Sequence, residues 1–237
     1  MSQLQKLKEP WSNLIILDAC RFDFFEKQYK KHLTGKLEKV TSPASCTEFW
    51  LPSCWGEHYD VTYVSGTPYV NSGGVPINKF VAKRHFKKII DVWKLGWDDT
   101  LETIMPDAVS KAALEQTERQ NLIIHYMQPH WPYIGETKVW AGSGRKRRAF
   151  TLKEEYDKRG DRHMKYGYNN IPLLRKAYAD NLDVVLTSVA KMVPLLKGRT
   201  IISADHGELL GEHEEFYHPC TVDHPLLREV PWFEVEK

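Results

Sequence analysis

Three groups of polar side chains stand where apolar segments of this chain end. Asp18 follows the run NLIIL, and Asp205 and His206 follow RTIISA. His125 and His130 lie at the end of NLIIHYM and in the loop after it. Carboxylate oxygen and imidazole nitrogen suit Zn, Mn or Fe, whereas a more oxygen-rich set suits Ca or Mg. Asp18, Asp205 and His206 therefore predict a divalent-metal site.

A fourth group, SPASCTE at residues 42–48, carries hydroxyl and thiol side chains and follows the short run LEKV. A metal ion beside such a group activates it as a nucleophile. On the residues alone, four nucleophile candidates stay open: Ser42, Ser45, Cys46 and Thr47.

The elements that must position these groups alternate between short apolar runs and helical stretches. We predict strands at LEKV, in REVPWFEV and at residues 13–19, 60–65, 121–127 and 199–204, and helices at 22–32, 106–119 and 171–196. This alternation predicts a three-layer α/β/α sandwich with a mostly parallel, doubly wound sheet. Ligands of such sheets bind beyond the carboxyl ends of the strands. No repeat or linker is evident, so we expect one domain over 1–237.

Composition narrows the class of protein. The 237 residues include 42% hydrophobic residues, an ordinary share for a globular protein. The net charge of only +2 argues against a nucleic-acid-coating protein. No apolar run approaches the roughly 18 residues of a membrane span, and MSQLQKLKEPW has no signal-peptide core. The four cysteines form no CxxC pair. We therefore expect unpaired thiols, no disulfide framework and a cytoplasmic location.

One segment departs from this balance. Residues 137–165 contain ten Lys and Arg and four acidic residues, a net charge of +6, so the rest of the chain carries −4. The segment is predicted to be a long basic loop excursion from the domain. Its run RKRR, with Arg145 and Arg147 as candidate substrate-binding residues, is either a solvated charge run, a binding patch, or a lid that draws an anionic substrate to the metal.

Taken together, four blocks resemble the sulfatase-like branch of the alkaline phosphatase superfamily, a family of metal-dependent phosphoesterases and sulfatases. LIILDACRFD resembles the strand ending in D-x-x-R, and SPASCTEFWLPS resembles the nucleophile turn. HYMQPHWPY resembles the H-x-x-x-P-H-x-P-Y loop, and DHGELLGEH followed by HP and VPW resembles the C-terminal metal block. The blocks occur in the family's order from Asn13 to Trp232.

The resemblance implies roles for individual residues. Asp18, Asp205 and His206 would bind a divalent metal, with Thr47 as both a ligand and the nucleophile. Arg21 would lie near the substrate or in a structural ion pair, and His130 would contact the substrate or its leaving group. The residues that it offers for a second metal or for substrate are His125, His218 and His213. One or two ions are expected, drawn from Zn, Mn, Ca and Mg.

The nucleophile block departs from the formylglycine sulfatases, because Cys46 is followed by Thr-Glu-Phe-Trp rather than by x-Pro-Ser-Arg. The preferred reading is metal-dependent hydrolysis or transfer of a phosphate or sulfate ester through Thr47. The alternatives are a sulfatase that uses Cys46, and a catalytically silent module that binds an anionic glycan, lipid headgroup or nucleic acid through 137–165. The expected partner is an anionic ester, of a glycan or a lipid headgroup for example, and not nucleic acid.

Overall fold

The computed structural model describes residues 1–116, 121–137 and 170–236. The charged residues of the basic segment, Arg145 and Arg147 included, lie outside the described residues. The strands are β1 (Asn13–Leu17), β2 (Gly35–Thr41), β3 (Tyr59–Ser65), β4 (Phe86–Asp91), β5 (Trp97–Asp98), β6 (Thr103–Ile104), β7 (Leu122–Tyr126), β8 (Thr200–Ser203), β9 (Leu209–Glu212), β10 (Glu215–Tyr217) and β11 (Glu229–Val235).

The helices differ widely in length. They are α1 (Gln3–Lys6), α2 (Phe22–Gln28), α3 (Thr47–Cys54), α4 (Val92–Leu95), α5 (Pro106–Leu114), α6 (Ile171–Met192) and α7 (Pro225–Arg228). The longest, α6, begins after Asn170, whose side chain accepts a hydrogen bond from the Leu173 amide, and it buries a stripe of apolar residues. No helix in the described ranges is long and apolar enough to span a membrane.

Seven strands form the central sheet in the order β2-β11-β8-β1-β7-β3-β4. The strands from β8 to β4 are parallel, whereas β11 runs antiparallel to both β2 and β8. Every residue of β1 is buried, as expected for an apolar strand that has neighbours on both sides and helices on both faces. The predicted fold class is therefore confirmed.

The helices cover both faces of the sheet. Successive strand residues point to opposite faces. His125 of β7 packs against Trp50 of α3, with ring centroids 6.3 Å apart. The hydroxyl of its neighbour Tyr126 lies 2.7 Å from Ser110 Oγ of α5 and 3.5 Å from Met192 Sδ of α6. Helix α3 thus covers one face, and α5 and α6 cover the other.

The strand register brings the chemically interesting residues to one edge of the sheet. Leu17 at the end of β1 is aligned with Tyr126 at the end of β7, and Ile16 is aligned with Ser203 at the end of β8. Asp18 comes directly after β1 and Asp205 comes two residues after the end of β8, so the same register places them at neighbouring positions. The register of β1 and β8 thus places Asp18 and Asp205 together at the end of the sheet, where the sequence predicts the metal site.

The connection from β2 to α3 is tied to the same edge. The Ser42 amide donates to the Arg228 carbonyl at 2.7 Å, and the Ser42 hydroxyl donates to the Asp205 carbonyl. Helix α3 then begins at Thr47, with Cys46 as the residue before it. The β2–β11 pairing therefore positions the start of α3 beside the end of β8.

One covalent bond also fixes this region. Cys46 forms a disulfide with Cys220, whereas Cys20 and Cys54 are free thiols. The sequence prediction of unpaired cysteines is wrong for Cys46 and Cys220. The two lie 174 positions apart, so no local spacing pattern could indicate the pair.

Reduction of this disulfide is expected to lower the free energy of unfolding by about 2–4 kcal/mol, because the unfolded chain regains the freedom of a long closed loop. Urea unfolding with and without a thiol reductant measures the difference. A Cys46→Ala/Cys220→Ala variant should unfold at one midpoint in both conditions, and the control Cys54→Ser should keep the wild-type response. An unchanged wild-type midpoint in reductant would contradict the expectation.

Candidate metal centre and nucleophile

Four of the predicted site residues converge at the end of the sheet. Thr47 Oγ1 donates a 2.6 Å hydrogen bond to Asp205 Oδ2 and lies 3.2 Å from His206 Nε2. His206 Nε2 lies 3.4 Å from Asp205 Oδ2 and 3.6 Å from Asp18 Oδ1. All four side chains are buried. We call these four residues the primary cluster.

Backbone contacts orient this cluster. Asp205 Oδ1 accepts hydrogen bonds from the Ala19 amide at 3.1 Å and from the His206 amide at 2.9 Å, which leaves Oδ2 for Thr47. His206 Nδ1 lies 2.8 Å from the Gly207 carbonyl and must donate to it, so the lone pair of Nε2 faces the cluster. Ala19 has a φ of 58°, an uncommon value for a residue other than glycine, and this turn directs the chain away after Asp18.

The residue after Asp205 and His206 is a glycine, Gly207, because the chain passes close to α7 at this point. Its amide donates to the Leu227 carbonyl at 2.7 Å, and a Cβ atom at this position would lie 2.0 Å from the Leu226 carbonyl oxygen. A side chain at residue 207 would therefore push the Asp205–His206 turn away from α7.

The electrostatics of the primary cluster fit a cation. Burial, and then the charges of Asp205 and Glu208, raise the pKa of Asp18 well above its usual value. Burial opposes ionisation of Asp205 as well, but His206, His125 and the Thr47 hydrogen bond together lower its pKa. Asp18 Oδ1 has no hydrogen-bond partner within the described ranges. Two buried carboxylates with oxygens within 4.8 Å of each other are costly without a positive charge between them.

The spacing of the donor atoms also fits one ion. Ligands about 2.1 Å from a tetrahedral ion lie roughly 3.4 Å apart. The separations of 3.4 and 3.6 Å between His206 Nε2 and the two carboxylates agree with this value. Asp18, Asp205 and His206 would hold the ion, with the Thr47 hydroxyl beside them at hydrogen-bond distance from Asp205 Oδ2.

A second group of metal-ligand type lies beside the first. His130 Nε2 is 3.0 Å from His218 Nε2, and both can share an ion with Glu208. Burial raises the pKa of Glu208 to about 8 and lowers the pKa of His130 to about 4. Burial also lowers the pKa of His218 well below its usual value. The imidazole rings of His206 and His218 are 4.3 Å apart, so the two clusters adjoin.

The loop that carries His130 is held by Asn181 of α6. Asn181 Nδ2 donates to the carbonyls of Pro129 and His130, both at 3.0 Å, and its Oδ1 accepts from the Ile134 amide at 3.0 Å. The His130 amide donates to the Asp18 carbonyl at 3.1 Å. Asn181 is fully buried. This one amide therefore fixes the loop in the position that brings His130 to the site.

Three other predicted residues, Arg21, His213 and His125, belong to neither cluster as defined above. The guanidinium of Arg21 is buried and pairs with Asp23 and Glu212, both at 2.8 Å. Its contacts are those of a structural ion pair, and it also donates to the Glu208 carbonyl at 3.2 Å. His213 is exposed in the turn between β9 and β10, outside both clusters. His125 is buried at the end of β7, next to the carboxylates of the primary cluster.

Sequence reasoning did not select Glu208, Asn181 or Cys220. Glu208 stands two residues after His206, and its acidic side chain beside an Asp-His pair was an available signal. Asn181 lies on the predicted helix 171–196 as one polar residue among many, and only the fold brings it to the loop around His130.

Comparison with known proteins gives the class of fold. No protein-family model matches the sequence, and no curated protein matches it. Among solved structures, the soluble domain of lipooligosaccharide phosphoethanolamine transferase A from Neisseria meningitidis is similar, with 13% identity, a TM-score of 0.55 and coverage of 93% of this chain and 75% of that one.

Two further structures have other activities in their names. The phosphonate monoester hydrolase of Agrobacterium radiobacter is 10% identical, with a TM-score of 0.58 and coverage of 95% of this chain and 68% of that one. A 2-O GAG sulfatase is 11% identical, with a TM-score of 0.55 and coverage of 97% and 65%. This protein therefore has the fold of the sulfatase-like branch of the alkaline phosphatase superfamily, as its four sequence blocks predict.

Proposed function

We propose that this protein is a metal-dependent enzyme that hydrolyses or transfers a phosphate ester, with Thr47 as its nucleophile. One observation carries the proposal: the Thr47 hydroxyl lies at the start of α3, within 2.6 Å of Asp205 and 3.2 Å of His206. A hydroxyl buried among metal-ligand side chains at a helix N-terminus has the surroundings of an activated nucleophile.

The residues divide the chemistry between them. A divalent ion at the primary cluster would supply positive charge that lowers the pKa of the Thr47 hydroxyl and offsets charge on the phosphoryl oxygens. The Thr47 proton leaves along its hydrogen bond to Asp205, the oxygen attacks phosphorus in line, and the bond between phosphorus and the opposite, leaving ester oxygen breaks. The free amides of the first turn of α3 bind a non-bridging oxygen. The product of this step is a phosphorylated Thr47, which water or an acceptor alcohol then attacks.

The leaving group lies on the side of His130 and His218, which are part-exposed while the primary cluster is buried. Because burial lowers the pKa values of both imidazoles, they are neutral at pH 7. The one N–H of His130 is on Nδ1, which must donate to the Trp131 carbonyl, so His218 is the imidazole that can donate an N–H to an ester oxygen. Together with Glu208 the two imidazoles are also the candidate ligands of a second ion. Imidazole and carboxylate donors favour Zn or Mn at either position.

A phosphate ester is preferred to a sulfate ester because of Cys46. Formylglycine sulfatases require a free cysteine for conversion, and the Cys46 sulfur is bonded to Cys220. Thr47, the next residue, has a hydroxyl that is in no covalent bond of this kind and that donates to Asp205 among the metal-ligand side chains. The Cys46 alternative is thus disfavoured by the bond that this residue makes.

The experiment is a metal-supplemented activity panel with nitrophenyl phosphate, bis-nitrophenyl phosphate, phenylphosphonate and nitrophenyl sulfate. We expect activity on a phosphorus ester that chelation abolishes and added Zn or Mn restores. Thr47→Ala should lose at least about 10³-fold in kcat, whereas Thr47→Ser keeps a hydroxyl and should retain measurable turnover. Mass spectrometry should find a phosphoryl group on the Thr47 peptide. Full activity in Thr47→Ala, or wild-type protein that binds no metal, would overturn the proposal.

A further inference from the structure

His125 is a buried histidine that the proposed mechanism does not use. It is the fourth residue of β7 and has no exposed surface. Its Nδ1 lies 2.7 Å from the Tyr63 hydroxyl, whereas its Nε2 has no hydrogen-bond partner within the described part of the chain. One ring nitrogen is thus held by a neighbour, and the other is left for a different kind of contact.

The free nitrogen points at the primary cluster. His125 Nε2 lies 3.9 Å from Asp18 Oδ2, which is too long for a hydrogen bond. His125 Nε2, an oxygen of Asp18 and an oxygen of Asp205 all lie within 4.8 Å of one another. Two atoms bound to one ion at about 2.1 Å lie roughly 3 to 4.2 Å apart, depending on the angle between them. The 3.9 Å gap is therefore the spacing of two ligands rather than of a donor and an acceptor.

The packing around the ring supports the same reading. Trp50 of α3 and Tyr63 of β3 contact the His125 ring, with centroids 6.3 and 6.0 Å away. These large side chains fix the ring, and the Tyr63 hydroxyl sets which nitrogen faces inward. A metal-bound histidine characteristically uses its second nitrogen for such an outer hydrogen bond. A histidine that served only as packing would gain nothing from an unpaired nitrogen aimed at two carboxylates.

We propose that His125 Nε2 is a further ligand of the ion held by the primary cluster, with Tyr63 as its outer hydrogen-bond partner. This inference rests on the metal binding in the proposed function and adds a residue to that site. The inference assigns His125 to the primary cluster and not to the second cluster of His130, Glu208 and His218. Two imidazoles at the primary cluster would shift its preference from Ca and Mg towards Zn, Mn or Fe.

Metal affinity is the first measurement, made by competition between the protein and a chelator for Zn. We expect His125→Gln to weaken Zn binding by about 100-fold or more and Tyr63→Phe to weaken it by about 10-fold. His58→Gln, at an exposed histidine, serves as the matched control and should bind as the wild type does. Wild-type affinity in His125→Gln would overturn the inference and leave the proposed function standing. A wild type that binds no ion would overturn both.

A second measurement does not depend on the folding of a His125 variant. In a His130→Gln/His218→Gln protein loaded with one equivalent of Zn, X-ray absorption counts the imidazoles on the remaining ion. Two imidazoles, from His125 and His206, are expected. A single imidazole would overturn the inference, because His206 alone would then bind the ion.

Discussion

Replacing Asp18 with asparagine is expected to abolish tight metal binding and to lower kcat by at least about 10³-fold, while the metal-free protein becomes no less stable than the wild type. The loss of activity follows because a charged ligand of the ion disappears, which is worth several kcal/mol in the transition state. The stability result follows from the surroundings of Asp18 in the folded protein.

Asp18 is a costly residue in the absence of metal. Its carboxyl is buried, its Oδ1 lacks a hydrogen-bond partner within the described ranges, and the charges of Asp205 and Glu208 oppose its ionisation. An asparagine of the same shape removes the charge and can donate an N–H to a neighbouring carboxylate. Sites of this kind are kept for function at some cost in stability.

Thermal unfolding with chelator and with added Zn separates the two effects. The wild type should gain stability on adding Zn, and Asp18→Asn should not respond to it. Asp60→Asn is the matched control, since Asp60 is exposed and pairs with Lys87 at 2.6 Å, and it should keep the full response to Zn. A metal-free Asp18→Asn that melts well below the metal-free wild type would show that Asp18 has a structural role.

Replacing Asn181 with leucine is expected to destabilise the protein by about 3 kcal/mol or more and to impair catalysis through His130. The substitution leaves the Pro129 carbonyl, which is buried, and the His130 carbonyl and Ile134 amide, which are part-buried, without their partner, and each unsatisfied group costs about 1–3 kcal/mol. The freed loop no longer fixes His130 beside His218.

Urea unfolding measures the first effect, and steady-state kinetics on the best substrate of the activity panel measure the second. Asp183→Asn is the matched control on the same helix, because Asp183 is half-exposed and contacts His32 at 2.8 Å. That control should change stability by less than about 1 kcal/mol and leave kcat unchanged. Wild-type stability and kcat in Asn181→Leu would mean that the loop keeps its position without Asn181.

The parts of the fold that follow local rules could be predicted from the sequence. NLIIL reads as an interior strand because it is continuously apolar, and Asp18 is found because it is the next residue. The same reasoning finds Asp205 and His206 after β8. The 171–196 stretch predicts α6, because its apolar stripe has helical spacing, and the structure ends that helix at Met192 before a short 3-10 turn.

The parts that depend on distant segments could not be predicted in the same way. The strand β4 was missed because FKKIID is mostly half-exposed and carries two lysines, so its apolar signal is weak. The proposal of Thr47 among four hydroxyl and thiol residues depends on where α3 begins and on the hydrogen bond to Asp205, and both are visible only in three dimensions. A cytoplasmic location stays a prediction.

The position of β11 has a consequence for the order of events during synthesis. β2 lies at one edge of the sheet, and β11 is its neighbouring strand there, with Gly35 aligned to Val235. A ribosome releases β2 and α3 early, and β2 then lacks its partner until Glu229–Val235 emerge. Because the β2–β11 pairing leads directly into Ser42 and Thr47, the nascent chain acquires the final position of Thr47 late. A chain released only as far as α6 therefore contains both Asp18 and Thr47 but lacks the strand that positions them beside each other.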